Sequence, residues 1–109
     1  MSKPTDLVQG TLDLLILKIL ALEPLHGWAI AQRIRQMSRD VLQVGQSALY
    51  PALHKLERQG LVTSQWDVSD TNRRVKYYTL TRSGRKAVAD ETANWERLSA
   101  AISSIVRAV

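Results

Sequence analysis

Ser47, Tyr50, Pro51, His54, Lys55 and Arg58 recur at i, i+3, i+4, i+7, i+8 and i+11 in the stretch GQSALYPALHKLERQG. On a helix this spacing gathers them on one side. Their shared chemistry is recognition: hydroxyls, an imidazole and two cations that hydrogen-bond and attract anions. A helix of this kind can enter a DNA major groove with its first residues, Gln46 and Ser47 among them, against base edges. The free backbone N–H groups at its start also favour phosphate. Pro51 is tolerated near a helix start, where early N–H groups lack internal partners. With Ser47 as N-cap one bond is lost, and with a start one residue later none is. Pro51 then offers a flat apolar surface to a thymine methyl or a sugar, and Tyr50 points out beside it with a hydroxyl for phosphate or base. The competing reading packs Tyr50 on a neighbouring helix and leaves Pro51 only to fix the turn.

A second cationic group, Arg73, Arg74 and Lys76, follows the polar turn Asp67 to Asn72. From Gln46 to Lys86, eight Lys and Arg stand against three Asp and Glu. That stretch therefore holds the whole net charge of +5 of the 109-residue chain. A clustered basic excess marks a polyanion binder; the plainer alternative is a solvated surface. Catalysis has little to work with. The chain has no cysteine, its two histidines, His26 and His54, lie far apart, and neither a glycine-rich phosphate loop nor paired metal-ligand histidines occur. No cofactor or metal is expected.

These groups need a scaffold. Leu7 to Leu22 reads as a first helix with Asp6 as N-cap and Glu23-Pro24 as stop. Its apolar run is broken by Asp13 and Lys18 and is too short to span a membrane, which takes roughly 20 residues. The opening residues have no signal-peptide pattern, and a cytoplasmic setting is expected. Trp28 to Met37 is a second helix with Ala29, Ile30, Ile34 and Met37 inward. Val41 to Val44 reads as a short extended piece. In the third helix Leu49, Ala52, Leu53 and Leu56 face inward, and Gly60 ends it. Leu61–Trp66 and Arg74–Leu80 form a hairpin with a loose tip, and Thr81 caps a last helix. Trp28 and Trp66 read as core or dimer-contact residues. The fold class is mainly α with a small β-hairpin: a winged helix-turn-helix over residues 1–81 and a C-terminal dimerisation helix over 82–109, within one domain.

The last helix carries Val88, Trp95, Leu98, Ile102, Ile105 and Val109 at spacings close to a heptad seam. A two-fold partner would cover this stripe, although the first helix takes part of it. Trp95 would then approach its mate or line an apolar gap able to hold a flat ligand.

Three stretches resemble the PadR family of bacterial transcriptional regulators. His26-Gly27-Trp28-Ala29-Ile30 is similar to the family's start of helix two, with Trp28 in place of the usual tyrosine. Ala48-Leu49-Tyr50-Pro51-Ala52-Leu53, continued by Leu56-Glu57 and Gly60-Leu61-Val62, resembles its recognition helix. Arg73-Arg74-Val75-Lys76-Tyr77-Tyr78-Thr79-Leu80-Thr81 with Gly84 resembles its wing. The similarity spans residues 7 to 106 and is nearest the smaller PadR subfamily, including its permease-associated group. It implies a homodimeric repressor that reads double-stranded DNA with helix three and the wing and pairs through the last helix. Some such regulators respond to small aromatic or drug-like molecules near the dimer interface, where this chain has Trp95. The rival is a winged-helix module that docks a protein.

Overall fold

The structure, a computed structural model, describes residues 9–109. The expected cap at Asp6 and the first residues of helix one lie outside that range. The described chain runs α1 (Gln9–Leu22), β1 (Leu25–His26), α2 (Gly27–Met37), α3 (Gln46–Arg58), β2 (Val62–Val68), β3 (Arg74–Leu80) and α4 (Arg82–Val106).

α1 is the central element. It packs against α2, α3, α4 and β3, and Leu12, Ile16, Leu17, Ile19 and Leu20 are buried around much of its circumference. That explains an apolar run with no clean polar face. Lys18 reaches solvent, and Asp13 is matched by the Lys55 ammonium of α3. Among the described residues no helix is long and apolar enough to cross a membrane.

α3 buries Leu49, Ala52, Leu53 and Leu56, the stripe its sequence period calls for. α2 buries Ile30 and Ile34, and Ala29 packs partly against the core. Met37, expected to face inward, is exposed at the end of α2. The chain leaves α2 through Arg39 and Asp40, both in the left-handed region at φ 53° and 67°. The Asp40 N–H donates to the Arg35 carbonyl at 2.9 Å and the Asp40 carboxylate accepts from Arg35 Nε at 2.8 Å.

Two expectations about strands need correction. Val41 to Val44 forms no strand, although Leu42 and Val44 do rest on the core. Instead the extended piece is Leu25–His26, which pairs antiparallel with β3 through Leu25 opposite Tyr78 and His26 opposite Tyr77. The sheet order is β1-β3-β2. β2 runs on to Val68, so the turn is shorter than the sequence suggests. It is also tied rather than loose. The Ser69 N–H donates to the Arg73 carbonyl at 2.8 Å, the Asn72 N–H to the Ser69 carbonyl at 2.9 Å, and the Arg73 N–H to Ser69 Oγ at 3.2 Å.

α4 begins at a tight joint. Thr81 Oγ1 accepts from the Gly84 N–H at 3.0 Å and donates to the Gly60 carbonyl at 2.7 Å, so one hydroxyl caps α4 and fastens it to the end of α3. Gly84 sits against the Leu61 carbonyl so closely that a β-carbon there would lie 2.1 Å from it.

Candidate nucleic-acid interface

α3 starts earlier than its proline suggests. Gly45 is the N-cap, and Pro51 is the sixth helical residue. Neither of the starts considered from sequence is the observed one. Proline has no N–H to give the Ser47 carbonyl one turn back, so one intrahelical bond is missing near the start of α3. The cost is tolerable because Leu49, Ala52, Leu53 and Leu56 anchor the opposite face.

The candidate residues of α3 divide into a ridge and two flanks. Gln46, Ser47, Pro51, His54 and Arg58 are exposed, and the last four follow one another along the outer ridge at i, i+4, i+7 and i+11. Tyr50 and Lys55 lie on opposite flanks and are partly buried. Lys55 donates to Asp13 Oδ2 of α1, a pair only 28% and 19% exposed, so this cation is already matched within the chain. Its sequence spacing grouped it with the free cations; the contact from 42 residues away removes it from that set.

Tyr50 turns the other way and leans on Gly27, the first residue of α2. A β-carbon at Gly27 would lie 2.8 Å from Tyr50 Cε1 and 2.8 Å from its hydroxyl oxygen. The ring is thus packed along the flank instead of standing out from the ridge. Packing on a neighbouring helix, the competing reading, describes its position.

His26 is a structural residue as well. Its Nδ1 accepts from the Ala29 N–H at 3.3 Å as the N-cap of α2, which fixes its other nitrogen as the protonated one in the neutral ring. The Tyr78 phenol is pushed above its usual range, first by burial and then by Glu57 and Tyr50 nearby. It therefore stays neutral as a core residue behind the flank.

The hairpin stands beside this flank. Arg73 and Arg74 are exposed, and Lys76 is partly buried. Trp66 lies directly opposite Lys76 in the sheet, with Arg74, opposite Val68, two pairs further toward the tip on the same face. The Arg74 guanidinium carbon sits 4.8 Å from the Trp66 ring centre and Lys76 Nζ 5.7 Å from it. Trp66 is 53% exposed and Trp28 61% exposed, so neither is a core residue. Both line a crevice of about 320 Å³ between α3 and the hairpin, together with Tyr50, His54 and Lys76. Among the described residues no carboxylate lines it.

The seam expected on α4 is partly free. Val88 packs against the chain's own core, and Val109 lies beyond the Arg107 cap that ends the helix. Trp95, Leu98, Ile102 and Ile105 are exposed, from 44% for Trp95 to 77% for Ile105.

Known proteins share this fold. The profile of the "Transcriptional regulator PadR-like family" matches residues 16–90. The transcriptional regulator Rv3488 of Mycobacterium tuberculosis is 35% identical over 74 residues, covering 68% of this chain and 65% of that protein. The structure of a transcriptional regulator from Clostridium thermocellum superposes with a TM-score of 0.84 at 27% identity, covering 94% of this chain and all of that one. A Streptococcus mutans structure gives 0.82 at 32% identity, with 97% of this chain and 93% of that chain covered.

Proposed function

This chain belongs to the PadR-like family of transcriptional regulators, which are not enzymes, and on that premise we propose that it is a homodimeric repressor of sequence-specific double-stranded DNA. The observation that carries this reading is the bare ridge of α3, from Ser47 through Pro51 and His54 to Arg58, beside a hairpin with three cations. The ridge reads base edges in the major groove, beginning from Gln46 and Ser47. Arg73, Arg74 and Lys76 supply backbone attraction that does not depend on sequence. Residues 1–81 do the reading, and 82–109 pair two copies through Trp95, Leu98, Ile102 and Ile105. A small hydrophobic or aromatic effector at Trp95, between the copies, relieves repression in the cytoplasm. The half-exposed indole on an otherwise aliphatic stripe supports that part of the reading.

Titration of labelled duplexes with the purified protein at several salt concentrations tests it. The expected result is a dimer on DNA whose affinity falls steeply with salt, with a log–log slope of about −0.9 per phosphate neutralised. Arg58→Ala or His54→Ala lowers the preference for selected over random duplex. Arg74→Ala weakens both alike and flattens the slope by about one phosphate. A protein that ignores every duplex selected from a random library, and instead captures a protein partner, is the interaction module of the rival reading.

A further inference from the structure

Arg74 and Lys76 project from the same face of β3, two residues apart, like charges side by side. Left to solvent, such side chains separate and sample many rotamers. Here both cations are placed over one indole, at 4.8 and 5.7 Å from its centre. The indole attracts both through its electron-rich ring. It also fixes where they sit, at the hairpin side of the crevice whose other wall is Tyr50 and His54 of α3.

That crevice has a definite place in the proposed complex. With α3 in the major groove and the hairpin at the adjacent minor groove, the strand dividing the two grooves must cross between them. Among the described residues the crevice carries one lysine at its wall, arginine beside it over Trp66, and no carboxylate. It suits a phosphodiester backbone and suits no cation. Its other tryptophan, Trp28, offers apolar contact to deoxyribose. Trp66 shares its face of β2 with Val62, which fills the core, but it lies further toward the hairpin tip and is exposed.

We infer that Trp66 is a positioning residue for DNA binding, holding Arg74 and Lys76 over the crevice between α3 and the hairpin so that this crevice seats one stretch of DNA backbone. The inference rests on the DNA-reading function proposed above. Ordering the cations before DNA arrives removes part of the entropy that binding would otherwise cost.

The test is a double-mutant cycle read by affinity for random duplex. Trp66→Leu in the otherwise unaltered protein weakens binding about fivefold, from two exposed cation–π contacts. It leaves the salt slope unchanged, because both cations still neutralise phosphates. Trp66→Phe, which keeps a weaker aromatic face, falls between the two. In a protein already carrying Arg74→Ala and Lys76→Ala, Trp66→Leu has no further effect. An equal loss in that background overturns the inference, since the indole would then act on DNA or on the fold directly. So does an undiminished affinity for Trp66→Leu. Thermal unfolding of each variant shows whether the hairpin persists; if Trp66→Leu does not fold, the same cycle is run with Trp66→Phe. Failure of the unaltered protein to bind any duplex sinks the function proposed above instead, and is distinguishable from either result.

Discussion

The two halves of α4 stand in different surroundings, one against the chain's own core and one open. The first half is locked to its own chain: Gly84 is buried against the Leu61 carbonyl, Thr81 ties the cap to Gly60, and Val88 rests on the core. Further along, the inner positions become small and polar, Thr92 and then Ser99, both partly buried. The bulky apolar residues of this half, Trp95, Leu98, Ile102 and Ile105, stay exposed. One helix thus carries an internal contact that fades and an apolar exposure that grows. An apolar face of this extent is uncommon on a monomer surface.

The largest break in this contrast comes at the joint. Gly84→Ala puts a methyl group where only a backbone carbonyl fits, and the loss of stability should be about 3 kcal/mol or more, read by denaturant unfolding. At the far end the expected effect is on assembly. Leu98→Glu or Ile105→Glu yields monomers in sedimentation, with the stability of the single chain altered by no more than about 0.5 kcal/mol. A retained dimer would place the pairing surface elsewhere. Thr81→Ala sharpens the contrast with a smaller change, about 1 kcal/mol for a lost cap. The smallest effect appears in alkali. The folded chain holds the Tyr78 proton above its usual range, whereas an unfolded tyrosine releases its proton near pH 10. The folded state then binds more protons, so stability is full below pH 10 and falls as pH rises beyond it. Tyr78→Phe makes that fall shallower in pH-dependent melting.

Much of this organisation is legible in the sequence because it is periodic or punctuated. The inward stripe of α3 follows from spacing alone, the hairpin from its strand formers and polar turn, and the α4 cap from Thr81. What escapes is whatever depends on a distant partner. A two-residue strand at Leu25–His26 has no period to read, and only pairing with β3 makes it a strand. Lys55 looks free until Asp13 meets it. Trp28 and Trp66 suggest core by their size, but they line a surface crevice. Tyr50 is the most instructive. It stands next to Pro51 on a polar face, yet its place is set by Gly27, which belongs to another stretch of sequence and leaves room for the ring. Two segments that look like separate signatures are one contact.

The Lys55–Asp13 bridge between α3 and α1 has a consequence for how this chain can change. Losing either partner alone strands the other's charge in a seam of low exposure, which is costlier than losing both. A route from this ionic pair to an apolar one passes through a weaker intermediate. The two sites are therefore expected to drift in step across descendants of this sequence, and single replacements at either should be rare.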